Sequence, residues 1–184
     1  VKKPLLFARE LVAGVLKPGT LAVDATCGNG HDTVFMAGLV GETGRVLAMD
    51  IQEEAIIKTG ERLAAAGLSE RVTLIKANHA GMSQFMQGNV KAVMFNLGYL
   101  PGGDHSIVTR PQTSLAALKA ALNALESGGM VTLAIYRGHA GGNDEYTVLS
   151  EYAALLPQQE FSVLEYRFIN QRNDPPLLLA INRV

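Results

Sequence analysis

At 184 residues, with 48% hydrophobic and 18% charged residues, the chain has the size and composition of one globular domain with a sizeable core, and disorder is excluded. A formal net charge of −1, with no Lys/Arg run longer than Lys2-Lys3, excludes a general binder of phosphate backbones, so any contact with nucleic acid is local. A single cysteine excludes an internal disulfide, no apolar run approaches the roughly 20 residues of a membrane-spanning helix, and Val1-Lys2-Lys3-Pro4-Leu5 starts no signal-peptide core.

Leu5 to Leu16 has helical periodicity and stops at Lys17-Pro18-Gly19. A strand over 20–24 ends on a carboxylate, Asp24, and a glycine loop leads into a helix over 31–40. A second strand, 45–50, ends on Asp50 and is followed by a helix over 53–66 that Gly67 closes. A third strand, 72–76, runs out at Asn78-His79, and a fourth, 92–96, at a glycine-rich loop. The pattern then predicts a helix from Pro111 to Glu126 terminated by Ser127-Gly128-Gly129, a strand over 130–136, a second glycine loop and a helix over 144–155. Two β-type runs, 161–169 and 177–181, joined through Asn173-Asp174-Pro175-Pro176, end the chain as a hairpin. Parallel β/α units closed by an antiparallel hairpin define one α/β domain over 1–184: a Rossmann-like class I methyltransferase fold with a seven-stranded, mostly parallel sheet.

The stretch Val23-Asp24-Ala25-Thr26-Cys27-Gly28-Asn29-Gly30-His31-Asp32-Thr33, with Ala48-Met49-Asp50, sets a nucleoside site at the carboxyl ends of the first two strands. Gly28 and Gly30 permit close backbone approach, and Asp50 can accept two ribose hydroxyls. A dinucleotide fingerprint asks for a third glycine where Thr33 stands. Asp24 and Asp32 beside the loop repel a pyrophosphate and attract the ammonium and sulfonium of S-adenosylmethionine, which is therefore the expected cofactor. Helix capping accounts for Asp32 but for neither Asp24 nor Asp50. The expected cofactor-binding set is Asp24, Thr26, Gly28, Asn29, Gly30, Asp32, Thr33, Asp50, Gln52, Asn78, His79, Asn96 and Gly98, with His79 bordering the adenine. Cys27 reads as a small packing residue in preference to a reactive thiol, since only His31 is a basic neighbour in sequence.

Phe95-Asn96-Leu97-Gly98-Tyr99-Leu100-Pro101-Gly102-Gly103-Asp104 leaves the strand that this architecture places beside the first, so it faces the methyl donor. Methylating a nitrogen needs a free lone pair held in line. The Asn96 side-chain oxygen and a backbone carbonyl can accept the two N–H protons of an amine, and Tyr99 can stack on a flat base. The plainer reading of this loop is a Gly-Pro turn with Tyr99 packed in the core. Tyr136-Arg137-Gly138-His139-Ala140-Gly141-Gly142 forms a second polar loop at the same edge, where His139 serves either as a base or as a substrate contact. Asn96, Tyr99 and His139 are thus the catalytic candidates, and Leu97, Tyr99, Pro101, Gly102, Arg137 and His139 the substrate-binding ones. Arg110, Arg137, Arg167 and Arg172 are the candidates for local RNA contact, and His105 has no assigned place. No Cys/His cluster has metal-ligand spacing, so no metal is expected.

Asp24-Ala25-Thr26-Cys27-Gly28-Asn29-Gly30-His31-Asp32-Thr33, Asn96-Leu97-Gly98-Tyr99-Leu100-Pro101-Gly102-Gly103-Asp104, Gly138-His139-Ala140-Gly141-Gly142 and Asn170-Gln171-Arg172-Asn173-Asp174-Pro175-Pro176 together resemble the small bacterial methyltransferases labelled putative rRNA methylases. The similarity spans essentially the whole chain. It implies S-adenosylmethionine-dependent methylation of tRNA, not rRNA. The implied acceptor is the aminomethyl group of 5-aminomethyl-(2-thio)uridine at the wobble position, and the product 5-methylaminomethyl-(2-thio)uridine. It further implies a cytoplasmic enzyme that touches the anticodon loop, homodimeric in some members; from the charge and the lack of a long apolar run, neither DNA nor membrane is an expected partner. The rival readings are methylation of rRNA or of a small-molecule amine or hydroxyl, a nicotinamide-dependent oxidoreductase, and a non-catalytic donor-binding subunit.

Overall fold

Leu21, Ala22 and Val23 alternate between two buried faces, which is why the first strand reads as one continuous apolar run. In the computed structural model, which describes residues 1–102 and 106–184, the elements run α1 (Pro4–Val15), β1 (Leu21–Asp24), α2 (His31–Val40), β2 (Arg45–Asp50), α3 (Glu53–Ala66), β3 (Val72–Lys76), β4 (Val90–Leu97), α4 (Pro111–Ala124), β5 (Leu125–Ile135), α5 (Gly142–Ala154), β6 (Phe161–Tyr166) and β7 (Leu177–Arg183). Short 3-10 turns at Ser69–Arg71 and His79–Gln84 complete them.

The seven strands form one sheet in the order β3-β2-β1-β4-β5-β7-β6. The first five are parallel, and β7 lies antiparallel between β5 and β6. Val23 of β1 pairs with Leu47 of β2 on one side and Val93 of β4 on the other, so the connections reverse direction at β1. The carboxyl ends of β1, β2 and β4 therefore open a crevice at this switch point. Helices α1 and α2, with Leu63 of α3, cover one face, packing Ala8, Val12, Met36 and Ala37 on Ala22, Ala92 and Met94. Helices α4 and α5 cover the other, packing Leu118 and Leu149 against Val23, Val93, Phe95 and Val131. Each fully buried side chain of this size contributes about 1.5–3 kcal/mol.

The expected helix over 111–126 ends earlier, at Ala124. Leu125 is drawn into the core, takes an extended conformation (φ −68°, ψ 127°) and pairs with Val90, while pairing resumes at Met130 with Ala92. Ser127-Gly128-Gly129 therefore forms an irregularity within the β5 ladder instead of a helix terminator. Helix α5 starts at Gly142, where a β-carbon would come 2.7 Å from the Tyr136 carbonyl. Strand β6 stops at Tyr166, and the connection to β7 is longer than a tight hairpin turn, with Asn173 (φ 64°) and Asp174 (φ 45°) both left-handed. Among the described residues no helix is long and apolar enough to cross a membrane.

Candidate active site

The crevice holds a cavity of about 690 Å³. Its floor is the loop after β1, which backbone hydrogen bonds fix to both neighbouring strands: Ala25 N–H donates to the Met94 carbonyl (2.9 Å) and Cys27 N–H to that of Met49 (2.8 Å). From α3, the Thr59 hydroxyl donates to the Gly28 carbonyl (3.1 Å) and Arg62 Nε to that of Asn29 (2.7 Å). Gly30 is left-handed (φ 79°) and sits so close to α3 that a β-carbon would lie 2.9 Å from Thr59 Cα. The two glycines divide the work: Gly30 lets loop and helix touch, while Gly28 lies at the cavity wall.

Three carboxylates surround this loop in different settings. Asp24 is fully buried, accepts from Thr33 Oγ1 (2.6 Å) and Thr26 N–H (3.3 Å), and is pushed up to about 7 by burial first and the nearby charge of Asp32 second. Asp50 accepts from Gly28 N–H on one oxygen and Gln52 N–H on the other, each at 3.0 Å. Burial raises its pKa, and those N–H groups pull it back. Asp32, at the start of α2, accepts from Arg9 Nε (2.6 Å) on Oδ1 and from Asn96 Nδ2 (2.7 Å) on Oδ2.

Asn96 is thereby fixed at both ends. Its backbone N–H donates to Thr26 Oγ1 (2.7 Å), and its side-chain NH₂ is spent on Asp32. A carboxylate only accepts, so the amide orientation is set and, among the described residues, the Asn96 Oδ1 atom is left for a ligand. The Leu97 and Gly98 carbonyls already accept from Tyr136 and Thr109 N–H groups, at 3.0 and 2.9 Å. Tyr99, 44% exposed, lines the cavity and stands edge-on to His139, ring centroids 6.4 Å apart.

Of the expected residues, Thr26, Gly28, Asn29, Asp32, Asp50 and Gln52 line the cavity from the β1–β2 side. Asn78, His79, Asn96, Gly98, Tyr99 and Pro101 line it from the other. Asp24, Gly30, Thr33 and Leu97 lie behind that wall, holding those that face it, and Gly102 stands outside it. His139 is also outside the wall, behind Tyr99; with its Nδ1 3.0 Å from the Ala140 carbonyl, its Nε2 has no hydrogen-bond partner among the described residues. Arg137 faces Asp174 at 3.5 Å and lies over the Tyr146 ring, Arg167 pairs with Glu165, Arg172 is exposed, and Arg110 lines the cavity. Burial holds His79 neutral, with its pKa lowered to about 4, and pushes the Cys27 thiol well above its ordinary range, so Cys27 is not a thiolate. Gly103, Asp104 and His105 lie outside the described residues.

Two contributors had no sequence motif to reveal them. Arg9 enters from α1, far from the glycine loop in the chain. Glu145 of α5 is fully buried and accepts from Ser114 Oγ (2.5 Å) and Thr109 Oγ1 (2.8 Å), which ties α5 to the segment lining the far wall. In sequence it reads as an ordinary acidic residue in a first helical turn.

Asp32 and Asp50 face a cavity whose wall, among the described residues, carries no lysine and two arginines: Arg9, already paired with Asp32, and Arg110, just before α4 and away from the glycine loop. That donor set fits a cationic amino-acid and sulfonium ligand with a ribose, and it opposes a pyrophosphate. The sheet order and this acid-lined switch-point site define a class I, S-adenosylmethionine-dependent methyltransferase. A family described as "Putative rRNA methylase" matches residues 46–182, and the chain belongs to it. Residues 2–88 also match the protein-L-isoaspartate(D-aspartate) O-methyltransferase family. The "tRNA (mnm(5)s(2)U34)-methyltransferase, chloroplastic" of Arabidopsis thaliana is 38% identical over 99% of this chain and 70% of its own length. A putative rRNA-methylase crystal structure from Clostridium thermocellum superposes with TM-score 0.98 at 46% identity, covering 100% of this chain and 99% of that one. A methyltransferase from Streptococcus mutans in complex with SAH does so with TM-score 0.92 at 36% identity, covering 100% and 99%.

Proposed function

We propose that the enzyme methylates the primary amine of 5-aminomethyl-(2-thio)uridine at the wobble position of tRNA, giving the 5-methylaminomethyl product. The observation that carries this reading is the orientation of Asn96: its NH₂ is taken by Asp32, so Oδ1 accepts an N–H of the incoming amine and aims the lone pair. The A. thaliana relative, by its name, acts on a wobble nucleoside of this kind.

Bound S-adenosylmethionine supplies a methyl group on a positively charged sulfur, activated for displacement. Asp50 would hold the ribose, and Gly28 and Asn29 on the cavity wall would meet the nucleoside. An aliphatic amine resembles lysine and is mostly protonated at neutral pH, so it must lose a proton before it attacks. Asn96 Oδ1 holds the neutral amine without needing to ionise. Tyr99 stacks on the uracil ring, a contact worth about 1–3 kcal/mol. Arg110, on the cavity wall, meets the adjacent phosphate. The proton leaves to water, because His139, the other candidate base, lies outside the cavity wall with its Nε2 buried.

The test is methyl transfer from labelled donor into bulk tRNA carrying 5-aminomethyluridine, run beside tRNA lacking it, rRNA and small amines. Nucleoside mass spectrometry identifies the product. Label only in 5-methylaminomethyluridine is the expected result. Label in rRNA or in a small amine, or none in any acceptor despite donor binding, overturns the reading.

A further inference from the structure

We infer that Arg9 of the N-terminal helix is a positioning residue for the acceptor amine, acting through Asp32 to keep the Asn96 carbonyl oxygen turned into the site; the inference rests on the proposed reaction. One carboxylate serves two partners: Asp32 Oδ1 takes Arg9 Nε at 2.6 Å and Asp32 Oδ2 takes Asn96 Nδ2 at 2.7 Å. Its side chain is 6% exposed and that of Arg9 31%, so the pair is screened from water on the Asp32 side. A primary amide presents either its oxygen or its NH₂ after half a turn, and only its neighbours choose between them. With Asp32 fixed, the NH₂ points at the carboxylate. With Asp32 loose, the amide is free to turn, and an NH₂ facing the amine would donate to the lone pair that the displacement needs.

Arg9 is well held for this task. Its guanidinium lies 5.5 Å from the Phe35 ring centroid of α2. Helix α1 is itself anchored by buried Ala8 and Val12, by Phe7 against Tyr166 (centroids 4.9 Å apart), and by the Tyr166 hydroxyl donating to the Lys2 carbonyl at 2.7 Å. A cation also has a cost in a cavity that takes a cationic donor, since like charges repel. Its removal therefore affects the two ligands in opposite senses: donor binding stays level or tightens, while amine methylation slows. A residue that merely supports the fold, or that binds the donor, does not produce this split.

The experiment compares wild type with Arg9→Met and Arg9→Lys. It reads the single-turnover methylation rate at saturating donor, the donor Kd, and the NMR signal of the Asn96 side-chain amide, assigned by its absence in Asn96→Ala. In Arg9→Met the rate falls about tenfold or more, donor Kd is no weaker than in wild type, and the Asn96 amide signal shifts and loses exchange protection; Arg9→Lys restores part of each. An amide signal that ignores residue 9 overturns the inference, as does weakened donor binding with an unchanged rate at saturation. Failure of the proposed substrate looks different: wild type transfers no methyl to tRNA while the amide still responds to Arg9→Met.

Discussion

Thr33 donates to Asp24 across 2.6 Å, from the first turn of α2 to the last residue of β1, with neither residue reaching solvent. The bond eases, without cancelling, the burial of a carboxyl beside Asp32 and Asp50. The folded chain therefore binds the Asp24 proton more tightly than the unfolded chain, whose value is near 3.8, and releases it at about 7. Stability from this residue is fully present below about pH 4, declines as pH rises toward 7, and stays lower above, by a few kcal/mol in order of magnitude. Asp24→Asn does not titrate. Thermal melts across pH are expected to show the variant gaining on wild type between pH 4 and 7 and holding that gain above; a pH-independent difference would contradict this account.

Gly30→Ala places a methyl group 2.9 Å from Thr59 Cα on a left-handed backbone. Strain and overpacking together are expected to lower stability by about 2–5 kcal/mol in urea denaturation. Gly138→Ala, with open space around it and an ordinary φ, serves as the control and should melt like wild type.

Asn96 and Asp50 should fail in opposite ways. Asn96→Ala removes the oriented oxygen and is expected to slow transfer about 10²–10³-fold with donor Kd nearly unchanged. Asp50→Ala removes a carboxylate that holds the Gly28 and Gln52 N–H groups and, in the proposed reading, the ribose; it is expected to raise donor Kd about 10–100-fold. Calorimetric titration and single-turnover rates, measured on both variants, separate the two roles.

Cys27 is buried and its thiol is held protonated. Cys27→Ser should keep turnover within about threefold of wild type, and iodoacetamide should react with the native chain only slowly at pH 8. Loss of turnover with intact donor binding would reopen a covalent route.

The elements most readable from sequence were those with punctuation at both ends. Helix α3 has Gly67 in its left-handed cap, and β2 ends on Asp50 at the turn into α3. The end of α4 was harder, because Ser-Gly-Gly is an equally good signal for a stop or a bulge. Burial of Leu125 decided it, a tertiary fact that no local pattern carries. The same limit applied to the site. The carboxylates at the strand ends were visible, but Asp24 faces inward beneath the loop and Asp50 faces the cavity, and strand periodicity does not tell the hollow side from the filled one. Arg9 and Glu145 were illegible for a related reason: their partners, Asp32 and the Ser114–Thr109 pair, come from other helices and loops.

Helix α1 rests on the face of the sheet where β7 lies between β5 and β6, packing near Leu178 and Ala180. During synthesis, until residues 177–183 emerge, the β7 side of β5 has no neighbour and α1 lacks part of the surface it covers. Arg9 travels on that helix, so its contact with Asp32 leans on a helix that β7 helps to seat. A chain cut short before β7 would carry the whole β1 loop and its carboxylates, yet lack part of the support under Arg9. The last strand in the chain thus helps to hold a side chain of its first helix in place.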